Sequence, residues 1–246
     1  MKKVLITGAS SGIGESLAYK FASEGFSIVI VARRKESLLA LKDKLETKYK
    51  VSVEIESLDL VNIENLDFLI SKYSNIDILI NNAGFGVFNK FNDYDIKKDL
   101  EMINLNIGTV VYLTKGFSKI MKKGSTIINI ASTAGFQPTP YMSVYGGTKS
   151  FIIDFTLAIQ NEVKDVNINL YCPGETQTEF QSVAKRPKSS ALRGKIPTAQ
   201  EVANDIYINL NKKIAIYGTY NKFLIFITKF FSKSFISKVL YKIQSK

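Results

Sequence analysis

Residues 4–14 read VLITGASSGIG, and this stretch decides the fold. An apolar run of the kind found in buried parallel strands leads directly into a turn with glycines at 8, 12 and 14, and a helix follows. Glycine lets the backbone approach a pyrophosphate closely, and the start of the helix supplies N–H groups at its positive end. The stretch predicts a strand–turn–helix unit that binds a nucleotide by its phosphates; an ordinary glycine-rich turn is the alternative.

The rest of the chain repeats this alternation of strand and helix. Short runs rich in Val and Ile are separated by longer amphipathic stretches of helical spacing. Strands are predicted at 4–7, 27–32, 51–57, 76–81, 125–131 and 167–172, and helices near 12–24, 35–48, 62–73, 94–122, 143–164 and 198–211. We therefore expect an α/β doubly wound parallel sheet (a Rossmann fold) as a single domain over residues 1–214, with a C-terminal helical tail over 215–246.

The composition excludes several classes of protein. Among 246 residues there is no histidine and one cysteine, Cys172, which removes Ser-His-Asp and Cys-His nucleophiles, disulfide frameworks and Cys/His zinc sites. No metal site is expected, and an enzyme with this sequence needs Tyr, Lys, Asp or Glu as its acid or base. We find no secretion signal and no apolar run long enough to span a bilayer, so a cytoplasmic location is expected.

All of the net charge of +11 lies after residue 179. Because residues 1–179 carry equal numbers of acidic and basic side chains, a general basic coat for nucleic acid is not expected. Residues 180–197 lie where a substrate lid is expected and hold basic residues without an acid, which suits an anionic handle such as a phosphopantetheine carrier or else a solvated loop. These basic residues are Lys185, Arg186, Lys188, Arg193 and Lys195.

The tail mixes lysines with phenylalanines and aliphatic residues, and it contains no acid after residue 205. Its lysines do not fall on one face of a single straight helix, which predicts two short helices broken near residues 232–234, with Ser234 as N-cap. Two interpretations stay open. The tail contacts an anionic membrane through apolar insertion and lysine attraction, or it packs on its own domain or on a partner subunit.

Further motifs follow the glycine turn at regular places in the alternation. NNAG at 81–84 follows the fourth predicted strand, Ser132 follows the fifth, YGGTK at 145–149 lies in the next helix, and Pro173-Gly174 follows the sixth strand. With these motifs the chain resembles the classical short-chain dehydrogenase/reductase family over about residues 1–180. The resemblance implies hydride transfer between a nicotinamide cofactor and a carbonyl or alcohol carbon. It implies a catalytic tetrad of Asn106, Ser132, Tyr145 and Lys149.

The side chains of the tetrad suit that chemistry. Reduction of a ketone places negative charge on its oxygen, so the site needs a proton donor and a second hydrogen-bond donor, the roles of Tyr145 and Ser132. Lys149 lies four residues after Tyr145 on one helical face, and its ammonium lowers the pKa of the phenol. By the resemblance, Asn106 holds a water that links Lys149 to solvent. Residues 146–148 depart from the family, which more often has Ala and Ser nearby.

Two arginines predict which nicotinamide cofactor is used. Arg33 and Arg34 end the second predicted strand, where an Asp would bind the ribose hydroxyls and repel a 2′-phosphate. Guanidiniums pair with that phosphate, so NADP is expected, unless the two arginines simply face water. The resemblance implies further cofactor contacts from Gly8, Ser10, Ser11, Gly12, Ile13, Gly14, Asp59, Leu60, Asn82, Ala83, Gly84, Tyr145, Lys149, Pro173, Gly174, Thr176 and Thr178.

The substrate side is predicted by the resemblance alone. It implies a pocket lined by residues 134–142, by the segment after Gly174 and by four apolar residues, Phe85, Val87, Phe88 and Phe91. A small-molecule carbonyl substrate of apolar or acyl type is therefore expected, as is a homodimer or homotetramer built through the two long helices. Two alternatives are a catalytically silent NADP-binding regulatory protein and a membrane-surface lipid-binding protein on the same fold.

Overall fold

A computed structural model describes residues 1–184 and 196–245 of the chain. Within these residues seven strands form one parallel sheet in the order β3-β2-β1-β4-β5-β6-β7. The strands are β1 (Lys3–Thr7), β2 (Ser27–Ala32), β3 (Val53–Ser57), β4 (Ile78–Asn81), β5 (Thr126–Ile130), β6 (Asn167–Cys172) and β7 (Ile214–Ile216). The strand order reverses direction between β1 and β4, which is where doubly wound sheets bind ligands. The predicted doubly wound sheet is confirmed.

Helices cover both faces of this sheet. They are α1 (Gly12–Ser23), α2 (Lys35–Tyr49), α3 (Ile63–Lys72), α4 (Ile96–Ile103), α5 (Thr109–Ile120), α6 (Ser143–Glu162), α7 (Phe180–Val183), α8 (Ala199–Ile208), α9 (Thr219–Thr228) and α10 (Lys233–Gln244). Successive strand residues point to opposite faces. Val4 and Ile6 accordingly lie in the core under α1, α2 and α8, whereas Leu5 lies in the core under α3 and α5.

The helix predicted near 94–122 is divided in the structure. α4 ends at Ile103, the residues Asn104–Gly108 form a π-helical turn, and α5 begins at Thr109. The backbone N–H of Thr109 reaches the carbonyl of Asn104 in this wider turn. Such turns occur mostly at functional sites, and this one contains Asn106. Periodicity did not show it, because a single inserted residue leaves the apolar spacing on either side unchanged.

The C-terminal part differs from the prediction in two details. β7 was not predicted, because its three residues follow a polar stretch, and it extends across the division placed at residue 215. The break between α9 and α10 lies where it was expected, but the N-cap prediction was wrong. Ser232 rather than Ser234 caps α10, since the Ser232 side chain accepts a hydrogen bond from the N–H of Phe235.

None of the helices in residues 1–184 and 196–245 is both long and apolar enough to cross a bilayer. The basic residues predicted in the lid all lie outside the described part of the chain; they are Lys185, Arg186, Lys188, Arg193 and Lys195.

Candidate active site

The glycine turn between β1 and α1 is shaped by its lack of side chains. Gly8 and Gly12 have positive φ angles of 68° and 60°, which other residues rarely adopt. A Cβ at Gly14 would lie 2.2 Å from the carbonyl oxygen of Gly8. Ser11 precedes α1 in an extended conformation, and its side chain makes no capping hydrogen bond. The first N–H groups of α1 therefore remain available to an anion at the switch point of the sheet.

Thr7 and Asn82 fasten this turn to β4. The hydroxyl oxygen of Thr7 accepts hydrogen bonds from the backbone N–H groups of Asn82 and Ala83, both at 3.0 Å. The amide nitrogen of Asn82 donates to the carbonyl of Thr7 at 2.9 Å. Asn82 therefore supports the glycine turn from the side of β4, and the NNAG motif stabilises the conformation of the turn.

Arg34 lies on the glycine turn, whereas Arg33 points to a different partner. The guanidinium of Arg34 donates to the hydroxyl and to the carbonyl of Ser10, both at 3.2 Å, and pairs with Glu179 at 3.0 Å. Arg33 pairs with Glu101 at 3.2 Å and is 60% exposed. The structure therefore places two guanidiniums at the end of β2, one of them in contact with the predicted phosphate-binding turn.

The segment after β6 crosses the open edge of this site. Thr178 packs on the glycine turn, because a Cβ at Gly12 would lie 3.2 Å from the Cβ of Thr178. Thr176 is buried, and its hydroxyl donates to the carbonyl of Gly174 at 3.1 Å. Of the predicted contacts after Pro173, Thr178 is thus brought against the turn.

The loop after β3 carries Asp59 and Leu60, two of the predicted cofactor contacts. The side chain of Asp59 accepts from the N–H of Val61 at 3.2 Å, and the carbonyl of Leu60 accepts from the hydroxyl of Thr109 at 2.6 Å. Leu60 is buried. These bonds fix the loop to the start of α5, so the two predicted contact residues are held in place.

Lys149 and Tyr145 lie together near the end of β5, and Ser132 follows the same strand. Ser132 is buried, and its oxygen accepts a hydrogen bond from the N–H of Ala134 at 3.1 Å, which leaves the hydroxyl proton to be donated. The ammonium of Lys149 donates to the carbonyl of Ile130 at 2.9 Å. It lies 5.9 Å from the centre of the Tyr145 ring. Their spacing of four residues on α6 therefore places the two side chains together, as the sequence predicted.

The ammonium of Lys149 is buried, and it donates a hydrogen bond to an uncharged group, the carbonyl of Ile130. Burial lowers the pKa of Lys149 to about 8, an effect that the nearby Cys172 would oppose only as a thiolate. Burial in turn raises the pKa of Cys172 to about 12, against the influence of Lys149 and of the Ser132 N–H. At neutral pH the thiol is neutral and the lysine is charged, so Lys149 can stabilise a phenolate at Tyr145.

The pKa of Lys149 predicts how stability depends on pH. Between pH about 8 and pH 10.5 the unfolded chain keeps the proton of Lys149 whereas the folded chain has lost it, so stability from this group rises with pH. Below that window both states are protonated and the contribution is constant. We expect the free energy of unfolding of the wild type, minus that of Lys149→Met, to rise by about 1.4 kcal/mol per pH unit within the window.

Urea denaturation of the two proteins at pH 7, 8, 9 and 10 measures this difference, and the subtraction cancels groups that titrate equally in both. A difference that stays constant from pH 7 to pH 10 would contradict the buried, weakly paired state of Lys149.

Asn106 is fully buried in the π-helical turn. Its amide oxygen accepts from the N–H of Phe85 at 3.1 Å, and its amide nitrogen donates to the carbonyl of Phe85 at 2.9 Å and to the hydroxyl of Thr148 at 3.1 Å. A Cβ at Gly84 would meet the Asn106 oxygen at 2.8 Å and the Lys149 ammonium at 3.7 Å. Asn106 therefore holds the loop after NNAG against α6, next to Lys149.

One aromatic ring packs on Tyr145, and three others form a stack of their own. The ring of Phe180, at the start of α7, lies 5.2 Å from that of Tyr145. Phe88 and Tyr141 stack at 5.3 Å, and Tyr241 from α10 stacks on the other face of Tyr141 at 5.7 Å. The tail therefore packs against its own domain at this point, which is one of the two interpretations left open by the sequence.

A family model described as short chain dehydrogenase matches residues 2–188. The match covers the glycine turn, NNAG, Ser132, Tyr145, Lys149 and Pro173-Gly174, in one continuous stretch. The chain belongs to the short-chain dehydrogenase/reductase family. The resemblance predicted from the motifs is thus confirmed.

Individual relatives of this short-chain dehydrogenase/reductase have known names or structures. It is 33% identical to an uncharacterised oxidoreductase of Staphylococcus epidermidis, over 86% of this chain and 95% of the relative. It is 32% identical to an NADP-dependent 3-hydroxy acid dehydrogenase of Schizosaccharomyces pombe, over 86% and 88%. The structure resembles a short-chain dehydrogenase from Sphingobium yanoikuyae in complex with NADPH, with a TM-score of 0.79, 28% identity, and coverage of 88% and 86%.

Several residues of the site in this short-chain dehydrogenase/reductase were not predicted. Glu179 pairs with Arg34, and Phe180 packs on Tyr145. Asn221 of α9 lies against Gly174, where a Cβ would be 2.4 Å from the Asn221 amide nitrogen. No local pattern marks these residues, since each partner is distant in sequence. Thr7 did carry a signal, because it is a polar residue at the buried end of an apolar strand.

Proposed function

We propose that the protein is an NADP(H)-dependent oxidoreductase that reduces the carbonyl group of an apolar or acyl-type substrate, with Tyr145 as proton donor. The observation that carries the proposal is the buried ammonium of Lys149 beside the Tyr145 ring, with Ser132 at the end of the adjacent strand. Within residues 1–184 and 196–245 none of the ion pairs involves Lys149, and burial of an unpaired cation is costly, which favours a functional reason for its position. The family's general activity supports the same reaction.

The residues at the switch point fit the cofactor. The positive φ angles of Gly8 and Gly12 and the uncapped start of α1 offer backbone N–H groups to a pyrophosphate. Arg34 and Arg33 offer guanidinium donors to a 2′-phosphate at the end of β2. The NADP-dependent relative and the NADPH-bound neighbouring structure support this assignment.

The nicotinamide cofactor supplies the hydride when it is bound. As negative charge develops on the substrate oxygen, Tyr145 donates its phenolic proton to that oxygen and Ser132 donates a second hydrogen bond. The ammonium of Lys149 stabilises the phenolate left on Tyr145, which makes the phenol a stronger acid near neutral pH. Asn106 holds the loop after NNAG against α6, the helix that carries Tyr145 and Lys149. The water link from Asn106 to Lys149 stays a prediction.

The apolar character of the substrate is supported by aromatic rings on and near Tyr145. Phe180 packs on Tyr145, Phe88 stacks on Tyr141, and the loop that bears Tyr141 also carries Pro138 and Pro140. Phe91 is largely exposed. A pocket of this kind favours an aryl or alkyl ketone over a sugar, because a sugar would leave hydroxyl groups without partners.

The experiment that tests the proposal follows oxidation of NADPH by the wild type with a panel of alkyl ketones, aryl ketones, 3-oxoacyl thioesters and aldoses. We expect turnover with at least one apolar member and none with the aldoses. NADPH binding without turnover of any member would favour the catalytically silent alternative. Turnover of aldoses alone would contradict the assignment of the substrate pocket.

Helices α5 and α6 are the proposed surface of a homodimer or homotetramer. Phe151 on α6 is 42% exposed and stacks on Phe155 at 5.8 Å, and Ile120 at the end of α5 is exposed as well. Large apolar side chains on two long surface helices are typical of subunit contacts.

The outer side of the tail is the proposed site of a peripheral membrane contact. Five phenylalanines, Phe223, Phe226, Phe230, Phe231 and Phe235, are about half exposed or more. Exposed aromatic residues among lysines support insertion at the surface of an anionic bilayer.

We expect the wild type to sediment with vesicles that contain anionic lipid, and Phe230→Ser/Phe231→Ser to sediment much less, because the insertion of two rings is lost. Tyr112→Phe, a surface change away from the tail, is the control. Equal, near-zero sedimentation of all three proteins would leave the tail as a packing element and exclude the contact.

A further inference from the structure

A cleft of about 800 Å³ lies between α10 and the segment that leads from Ser132 into α6. This volume is within the range of roughly 300–1,000 Å³ found for small-molecule sites. Of the described residues that line it, none belongs to the predicted tetrad, although Ser143 and Gly146 flank Tyr145 on the same helix. The cleft therefore adjoins the predicted substrate pocket, with which it shares Gly135 and residues 137–140, but the tetrad does not line it.

Three lysines of α10 line the cleft: Lys233, Lys238 and Lys242. None of the described lining residues is acidic, and none of the ion pairs formed within residues 1–184 and 196–245 involves these three lysines. Lys238 and Lys242 are four residues apart on one helix, so their charges repel each other. An anion bound between these two lysines would attract both ammonium groups and so offset their mutual repulsion.

One ring contact holds the cleft side of α10 against the domain. Tyr241 stacks on Tyr141 at 5.7 Å, with the two rings nearly parallel. Lys238, Lys242 and Tyr241 line the cleft, and all three side chains are exposed to solvent. The apolar residues Ile236 and Leu240 of the same helix are less exposed. The charges of the two lysines are therefore accessible to an anion that enters the cleft from solvent.

Gly147 keeps the opposite wall of the cleft open. A Cβ at Gly147 would meet none of the described atoms within 4 Å, so packing within the protein does not require glycine there. At the neighbouring Gly146 it does, because a Cβ would lie 2.8 Å from the hydroxyl of Thr139. Glycine inside a helix is less stable than alanine. The glycine at 147 therefore preserves space at a cost to the helix.

We propose that this cleft binds an anionic amphiphile, a single alkyl chain that ends in a carboxylate or a phosphate. Pro138 and Pro140 offer an apolar wall to the chain, and Lys238 and Lys242 pair with the head group. A free fatty carboxylate and a single-chain phospholipid share this chemistry. The inference does not rest on the proposed reductase activity, since no residue of the tetrad takes part.

Calorimetric titration of the full chain with decanoate tests the proposal, with decyl phosphate and decyltrimethylammonium as further probes. We expect saturable binding of one equivalent of each anion and no binding of the cation. Comparison of the two anions distinguishes a carboxylate from a phosphate source. Lys238→Ala/Lys242→Ala should weaken binding at least about tenfold. The matched control, Lys222→Ala/Lys229→Ala, removes two tail lysines that do not line the cleft and should change binding less than about twofold.

Gly147 supplies a second pair of variants. Gly147→Phe should abolish decanoate binding by filling the cleft, whereas Gly147→Ala, whose Cβ meets open space, should retain it. Circular dichroism and thermal unfolding check that both variants fold. Equal binding of the cation, or equal losses from the two lysine pairs, would overturn the proposal. Binding to anionic vesicles without binding of dispersed decanoate would assign the lysines to a membrane surface and overturn it as well.

Discussion

Tyr145→Phe is expected to lower kcat at least about 100-fold while changing the Kd for NADPH less than about twofold. The substitution removes one oxygen atom, and general acid catalysis by a positioned side chain contributes about 10²–10⁴ to the rate. The phenyl ring that remains would keep the contact with Phe180 at the start of α7, so the shape of the site is preserved. Steady-state kinetics with the best ketone of the panel, and a fluorescence titration with NADPH, measure the two effects.

The control is Tyr112→Phe, which removes a hydroxyl that bonds Asp67 on the surface, away from the site. It should retain the wild-type rate. If Tyr145→Phe kept more than about a tenth of the wild-type kcat, a change under about 1.4 kcal/mol, Tyr145 would not be the proton donor.

The second large effect is expected from the arginines at the end of β2. Arg33→Ala/Arg34→Ala should weaken NADPH binding roughly 100-fold and leave NADH binding within about threefold, because a charge-assisted hydrogen bond contributes about 1.5–3 kcal/mol and only NADPH carries the 2′-phosphate. Arg34→Ala should account for most of the loss. Arg34 lies on Ser10 of the glycine turn, whereas Arg33 is exposed and pairs with Glu101.

Glu179 provides an internal check of this assignment. Its carboxylate pairs with Arg34 at 3.0 Å and would compete with a phosphate for the same guanidinium. Glu179→Gln should therefore tighten NADPH binding by a few-fold, in the direction opposite to Arg34→Ala. Arg34→Lys, which keeps the charge and loses the fork, should lie between Arg34→Ala and wild type. Parallel losses of NADPH and NADH affinity in the double alanine variant would refute the assignment.

The parts of the molecule that could be predicted are those that depend on short stretches of sequence. The glycine turn, the order of strands and helices, and the spacing of Tyr145 and Lys149 are local, so pattern and elementary stereochemistry are sufficient for them. Glu179 could not be predicted as the partner of Arg34, because 145 residues separate them. The three-residue strand β7 is too short to carry a period, and it pairs with β6 only because α8 returns the chain to that edge.

The packing of the tail was also not predictable, because it depends on contacts between residues that are distant in sequence. Composition identified its lysines and aromatic residues, but composition does not determine which side of α10 faces the protein. The packing of α10 includes a contact between residues distant in sequence, the stacking of Tyr241 on Tyr141. Tyr141 itself adopts a left-handed backbone with φ of 61°, a conformation that no sequence pattern predicts at a tyrosine.

The stack of Phe88, Tyr141 and Tyr241 has a consequence for the order in which the protein is completed during synthesis. Domains begin to fold from the N-terminus as the chain is made, at about 5–20 residues per second, so Tyr241 follows Tyr141 by roughly 5–20 s. Strands β1 to β5 precede Tyr141 in the chain, and β6 and β7 are added during that interval, while Tyr141 has only one of its two ring neighbours. The stack is therefore completed after all seven strands, and a chain that ends before Tyr241 lacks its third ring.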